Sequence, residues 1–311
     1  MRRIGILPLD DFAVMSYAAT AEPLRAANLL AGQVLYRVVN LSVDHAPVRS
    51  SGAALVEPQA CISDDPRLDY LFVVAGGDVM RFNNRRVMAF LGRMARAGVT
   101  LGGVSGGAVI LVKAGLMAGR RMTVHWEHAA ALAELAPDLL IERTLYVFDR
   151  DRMTSAGGTA PLDMMHALIT QHHGADFARR VSDWFMHTEI RPPVGPQRSG
   201  LVERVGCTNP AVLDAVEAME THLAGTLSLE QLAMVAGVSA RQLTRLFQDR
   251  LGQSAMRYYR RLRLEKAQSL LRNSSMSLTE IALATGFASS SHFARVYGAQ
   301  FGQPPSRYRT G

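Results

Sequence analysis

The chain is poor in cysteine, with Cys61 and Cys207 the two among 311 residues. They lie far apart and support neither a disulfide framework nor a zinc spacing, so no metal is expected and a reducing cytoplasm is the natural setting. Long hydrophobic runs are missing too. No stretch approaches the roughly 18 apolar residues of a membrane span, which argues against a membrane partner. The N-terminal MRRIGILPLDDF carries two arginines, but its apolar run stops at Pro8, Asp10 and Asp11, too early for a signal-peptide core. What remains, 48% hydrophobic and 20% charged, describes an ordinary globular protein long enough for two separately cored domains.

Acidic residues are scarce at one end. From Ala240 to Gly311, twelve Lys and Arg face Asp249, Glu265 and Glu280, a net of +9; the whole chain carries +7, so residues 1–239 sum to −2. A basic final quarter on a near-neutral body is the electrostatic outline of a nucleic-acid-binding tail.

The two halves follow different patterns. RIGILPL (3–9), LYRVVNLS (35–42), YLFVVAGG (70–77) and VTLGGVS (99–105) read as buried strands, with helical stretches near 13–31 and 82–97. Strands alternating with helices predict a parallel sheet covered on both faces. LYVFDRDRMTSAGG (145–158) predicts a hairpin around Asp149-Arg150-Asp151, and Pro161 opens a long helix to about Trp184. RPPVGPQRSG (191–200) then reads as a stiff linker. Beyond Asn209-Pro210 everything reads helical. The expected division is a first domain over 1–190, a linker over 191–208 and a second domain over 209–311.

The second domain contains a repeat. Ala233, Gly237, Leu243, Arg245, Phe247, Leu251 and Gly252 are echoed by Ala282, Gly286, Phe293, Arg295, Tyr297, Phe301 and Gly302, with one extra residue in the second turn. A small residue lets two helices cross, a glycine four positions on makes the turn, and an apolar residue locks the second helix. That is the logic of a helix-turn-helix, present twice. SAMRYYRRLRLEKAQSLLRN (254–273) links the copies as a helix, with Leu264, Ala267 and Leu271 on one face. About 20 residues span ~30 Å, close to the ~34 Å between half-sites one DNA turn apart. One chain would then read two half-sites. Ser239 caps the first recognition helix, which starts with Ala240, Arg241, Gln242, Thr244 and Arg245; Ser289, Ser290, Ser291, His292 and Arg295 hold the matching places in the second. Arg and Gln suit base edges, whereas Ser, Thr and many Arg hold phosphates. Leu232, Leu243, Leu246, Phe247, Phe293 and Tyr297 are expected in the core.

These tandem units, the bridging helix and the closing GFASSSHFARVYGAQFGQPPSRYR resemble the DNA-binding domain of AraC/XylS transcriptional regulators, over residues 209–311. Tyr297-Gly298 departs from the family, which more usually has Phe and a basic residue. In the first domain, AEPLRAANLL (21–30), GGVSGGAVILVKAGLMAGRRMTVHWEH (102–128) and MTSAGGTAPLDMMHALI (153–169) resemble the PfpI-type, class I glutamine amidotransferase-like domain that some AraC-type regulators carry. The resemblance implies an α/β flavodoxin-like sandwich followed by an all-α tandem helix-turn-helix domain.

Gly103-Val104-Ser105-Gly106-Gly107 fits the G-x-S-x-G nucleophile elbow, a sharp strand-to-helix turn. In catalytic relatives that place holds a cysteine; the resemblance puts Ser105 there, Glu22 at a first-helix glutamate, and His125 at the histidine of this regulator group. Serine needs a positioned base to become a nucleophile. A Ser-Asp-His set could draw on Asp149 or Asp163 with His166 or His172, and Gly76-Gly77 could offer backbone donors in place of an HGGG-type loop. Without chemistry, the elbow would still suit a ligand: Ser105 and Gly106 at a helix N-terminus favour an anion, Glu22 a cationic group, and Trp126 an aromatic wall. The expected ligand site is therefore Glu22, Gly76, Gly77, Ser105, Gly106, His125 and Trp126, for a small zwitterion; regulators resembling this one respond to arginine, carnitine or betaine-type compounds.

The sequence points to a ligand-responsive transcriptional regulator, an activator that is not an enzyme and needs no cofactor. Its expected partners are promoter DNA, a small-molecule effector, RNA polymerase and a second copy through the first domain. Two other readings stay open: a PfpI-like hydrolase using Ser105, and an architectural DNA-binding protein with an inert first domain.

Overall fold

The computed structural model describes residues 1–273 and 276–308; Arg309, counted in the basic tail, and the end at Gly311 lie outside the described residues. The chain divides into two compact units, Met1–Gln197 and Arg198–Gly311.

In the first unit the strands are β1 (Arg2–Pro8), β2 (Tyr36–Ser42), β3 (Val48–Arg49), β4 (Leu55–Val56), β5 (Ala60–Cys61), β6 (Tyr70–Ala75), β7 (Thr100–Ser105), β8 (Arg121–Met122), β9 (Leu140–Ile141), β10 (Tyr146–Asp149) and β11 (Arg152–Ser155). The helices are α1 (Val14–Ala31), α2 (Arg85–Arg96), α3 (Gly107–Lys113), α4 (Trp126–Leu135), α5 (Ala160–His173) and α6 (Ala175–Trp184). Seven strands form the main sheet in the order β10-β11-β7-β6-β1-β2-β5. All neighbours are parallel except the β10–β11 hairpin.

The continuous apolar run of β6 is explained by burial on both sides. Leu71, Val73 and Ala75 enter one core with Val87, Phe90 and Leu91 of α2, while Phe72 and Val74 enter the other with Leu24 of α1 and Met164 and Leu168 of α5. A parallel sheet sandwiched by helices has no wet face, so alternation disappears. The four strands, the hairpin and the first two helices expected from sequence are present. The long helix expected from Pro161 to Trp184 is instead two, because Gly174 sits at φ 86 and ψ 161, outside helical space. Among the described residues, no helix is long and apolar enough to cross a membrane.

Residues 191–197, read from sequence as the start of a linker, lie on the first unit. The Leu145 N–H donates to the Pro193 carbonyl at 2.8 Å, and the Arg191 N–H donates to Asp163 at 2.9 Å. Prolines lack an N–H, so beyond Arg191 this stretch docks through a carbonyl and a side chain, with a turn closed by the Gly195 N–H on the Pro192 carbonyl at 3.0 Å.

The second unit holds α7 (Leu201–Val205), α8 (Pro210–Thr221), α9 (Leu229–Val235), α10 (Ala240–Leu251), α11 (Ala255–Asn273), α12 (Leu278–Ala284), α13 (Ser290–Phe301) and α14 (Pro305–Tyr308). The α9–α10 and α12–α13 pairs are the two repeats, joined by residues 236–239 and 285–289, the second turn being one residue longer. Gly237 and Gly286 adopt φ +64 and +74, which explains the glycine at each turn. Each repeat has its own core: Leu232, Leu243, Phe247 and Tyr259 in the first, Ile281, Phe293 and Tyr297 in the second. Leu246 is partly buried against the first. α11 contributes Tyr258 and Tyr259 to the first core and Leu264, Ala267 and Leu271 to the second, so it joins them as one helix.

Candidate functional site

At the carboxyl end of β7, Ser105 holds φ +56, an unusual conformation for a residue with a side chain, and is 8% exposed. The surrounding glycines are required by contact. A Cβ on Gly107 would run into the Val73 carbonyl, one on Gly106 would stand 2.5 Å from Val79 Cγ1, and one on Gly103 2.6 Å from Ala108 Cα. The predicted elbow is therefore real, and it is tight because α3 starts directly against β6.

One backbone donor of the elbow is already engaged. In a nucleophile elbow the N–H after the nucleophile helps to bind the oxyanion. Here the Gly106 N–H donates to the Ala75 carbonyl at 3.0 Å. Gly106, expected as an anion donor, is thus engaged in holding the turn, and α3 is a short seven-residue helix. Above Ser105 lies the loop after β11: a Cβ on Gly157 would stand 2.6 Å from Ser105 Cβ and 2.8 Å from its Oγ. The next N–H, of Gly158, donates to Ser16 Oγ of α1 at 2.9 Å. No described side chain is hydrogen-bonded to Ser105 Oγ.

The other expected ligand residues are dispersed around this point. Glu22 pairs with Arg25, one turn along α1, at 2.6 Å and both are well exposed; buried Ser16, earlier on the same helix, is the α1 side chain that reaches the Ser105 loop. The cause is helical phase, since the elbow-facing side of α1 is set by its packing. Gly76 and Gly77 follow β6 and fit under Asp11, whose carbonyl would be 2.5 Å from a Cβ on Gly76. His125 caps α4, its Nδ1 accepting from the Glu127 N–H at 3.4 Å. Burial depresses its pKa against the opposing pull of Glu127. The Trp126 ring lies tilted beside it, centroids 5.3 Å apart, and is 42% exposed, whereas Met122 is core.

The alternative triad residues belong elsewhere. Asp163 is fully buried and bonded to His187 and Arg191. Asp149 accepts from the Arg121 N–H at 2.7 Å. His166 lies 2.8 Å from Ser182 Oγ. His172 sits between the Tyr36 and Tyr70 hydroxyls, 2.9 Å from each, and burial pushes its pKa down to about 4. No Ser-Asp-His set assembles from them.

In the second unit, Ser239 caps α10 by accepting from the Gln242 N–H at 3.2 Å, and Gln242 Oε1 accepts from the Ser239 N–H at 2.9 Å. Gln242, expected on a base edge, has its carbonyl held in this capping box. Thr244 donates back to the Ala240 carbonyl at 2.9 Å. Arg241 and Arg245 are exposed on α10, and Ser291, His292 and Arg295 on α13, where Ser289 is the cap and Ser290 half-buried. Ala240 is half-buried. Arg263 of α11 points inward: its Nε donates to the Thr285 carbonyl at 2.7 Å, its Nη2 to the Gly286 carbonyl, and its guanidinium lies 4.2 Å from the Phe287 ring centroid. At 19 residues, α11 spans ~28 Å, the scale of adjacent major grooves.

Residues 2–171 match the DJ-1/PfpI family and residues 232–311 a helix-turn-helix domain family. The HTH-type transcriptional regulator GlxA of Rhizobium meliloti is 43% identical over 310 residues, covering 99% of this chain and 96% of that protein. GbdR of Pseudomonas aeruginosa, also an HTH-type transcriptional regulator, is 41% identical over 99% of this chain and 84% of its own length. This chain belongs to the AraC-type transcriptional regulators with an N-terminal DJ-1/PfpI domain. A crystal structure of an AraC family transcriptional regulator from Pseudomonas putida, 26% identical, matches with a TM-score of 0.55 over 60% of this chain and 100% of its own. The AraC-type regulator is accordingly a DNA-binding protein. Sequence reasoning missed Ser16 and the inward turn of Arg263. A serine within an apolar helix and one arginine among four carry no mark of where they point.

Proposed function

We propose that this AraC-type regulator is a transcriptional activator of the cytoplasm, controlled by a small amino-acid-like or quaternary-amine metabolite bound at the carboxyl end of the first-unit sheet, and that its DJ-1/PfpI domain is not an enzyme. The observation that carries the sensor reading is the Gly106 N–H bonded to Ala75, with Ser105 enclosed and lacking a hydrogen-bonded base. The ligand residues are Ser105, Gly76, Gly77, His125 and Trp126, joined by Ser16; Glu22 serves from the rim. Open α/β sheets take ligands at this end of the strands. On the DNA side, Arg241, Arg245 and Arg295 meet promoter DNA from two recognition helices, so one chain reads two half-sites. Exposed Met15, Leu29 and Val34 at and beyond α1 support pairing of two first domains. RNA polymerase is the remaining partner of an activator.

The test is promoter binding by the full chain with arginine, carnitine or glycine betaine added, alongside ester and amide turnover. We expect one zwitterion to raise the melting temperature and shift promoter affinity, with no Ser105-dependent turnover. Turnover abolished by Ser105→Ala would overturn the sensor reading. Unchanged promoter affinity in both Arg245→Ala and Arg295→Ala would overturn the docking.

A further inference from the structure

Residues 187–197 are anchored to the rest of the first unit at His187, Arg191, Pro193 and Gln197. His187 Nε2 lies 2.9 Å from Asp163 Oδ1. Arg191 gives its backbone N–H to Oδ1 at 2.9 Å and its guanidinium to Oδ2 at 3.0 and 2.6 Å, with a further bond to Thr159 Oγ1 at 2.9 Å. Pro193 accepts from Leu145 at 2.8 Å. Gln197 then inserts its amide, donating to Thr123 Oγ1, the Val124 carbonyl and the Thr144 carbonyl at 3.0, 3.2 and 2.7 Å.

These anchors flank the Ser105 elbow. Thr159 directly follows Gly157-Gly158, the loop pressed onto Ser105, and Val124 directly precedes His125. A ligand seated over Ser105 must move that loop, because a single Cβ on Gly157 would already stand 2.6 Å from the Ser105 Cβ. Thr159 and Asp163 would move with it and loosen the hold on Arg191. Within the docked segment the Gly195 N–H closes one turn on the Pro192 carbonyl at 3.0 Å, and no helix or strand is lost when the segment leaves.

We propose that residues 187–197 are a signalling strap: a ligand bound over Ser105 detaches it and so lengthens the tether of the DNA-binding unit. The proposal rests on the effector reading above. With the strap docked, residues 198–200 alone separate Gln197 from α7, about 10 Å of extended chain. With it released back to His187, residues 188–200 are free, about 45 Å. The tether therefore sets how readily two DNA-binding units of a dimer reach their half-sites together.

The experiment uses the full chain in two variants, Gln197→Ala and the paired Asp163→Asn with Arg191→Gln, which avoids stranding a buried carboxylate. Hydrogen exchange of peptides covering 187–197 and 144–146 is read beside promoter titration. Without additive, both variants should exchange about tenfold faster in the strap. Promoter affinity should shift by about tenfold in the same direction in both, the dilution expected for the longer tether. Unaccelerated exchange, or accelerated exchange with wild-type promoter affinity, would overturn the strap. In the wild type, glycine betaine should raise strap exchange. Betaine that raises the melting temperature but leaves strap exchange unchanged also overturns it. If betaine, arginine and carnitine all leave the melting temperature unmoved, the effector reading fails, and the strap is still decided by the additive-free variants.

Discussion

Replacing Arg263 by alanine separates an arginine that builds the DNA-binding unit from those proposed to touch DNA. The guanidinium donates to two carbonyls at the α12 turn and covers the Phe287 ring at 4.2 Å. Burial lowers its pKa somewhat, the mark of a cation drawn from water and compensated by local acceptors. Losing two charge-assisted hydrogen bonds at a half-buried site costs about 1 kcal/mol each, and losing the ring contact about 1 more. The sum of about 3 kcal/mol should lower the melting transition of the second unit by roughly 10 °C. Arg263→Lys keeps the charge but cannot fork to both carbonyls, and should fall between. The assay is a thermal melt of the full chain, followed by promoter binding across salt concentrations at a temperature where every variant is folded. The slope of log K against log salt should be unchanged in Arg263→Ala. In Arg245→Ala, by contrast, the melt should stay within ~0.5 kcal/mol of wild type, and a lost phosphate contact should reduce the slope by about 0.9. An unchanged melt together with a reduced slope in Arg263→Ala would refute the assignment, making Arg263 a phosphate contact.

The elbow and the buried histidines give two more. Gly107→Ala drives a Cβ into the Val73 carbonyl, where neither backbone can yield, and should destabilise the first unit by about 3 kcal/mol or more, read as loss of its melting transition; a wild-type melt would show that the elbow can relax. His128 is 6% exposed, and burial, aided by neighbouring His125, pushes its pKa down to about 4. The unfolded chain therefore binds a proton near pH 6.5 that the folded chain refuses until about pH 4. First-unit stability is full above pH 6.5 and declines as pH falls towards 4, by up to about 3 kcal/mol from this group. His128→Leu should flatten part of that decline in urea titrations at a series of pH values, leaving the share due to His172.

Much was legible in order along the chain. The sheet strands show as apolar runs because both faces are covered, and the repeat shows because two turns need the same small residue and glycine at the same spacing. The G-x-S-x-G elbow was legible for the same reason, since its glycines answer to backbone contacts adjacent in sequence or on the next strand. The roles of single polar side chains were less so. Glu22 and Ser16 lie six positions apart on one helix, and the packing of α1 decides which faces the elbow. Gln242 looks like a base reader, yet its carbonyl closes a capping box three residues away. RPPVGPQRSG has the composition of a free linker, but its partners Asp163, Leu145 and Thr123 are more than twenty residues distant.

The sequence by itself determined the two-domain plan, the tandem helix-turn-helix repeat and the tight turn at Ser105, because these follow from short-range periodicity and from glycines that backbone geometry demands. The tertiary structure alone decided that the Gly106 N–H is already engaged, that Ser105 is roofed by Gly157, that Arg263 faces inward and that the Pro-rich stretch is docked. Each of those depends on which distant carbonyl or carboxylate arrives at a donor. A donor carries the same letter in the sequence whether its partner is water, DNA or the far side of the same domain.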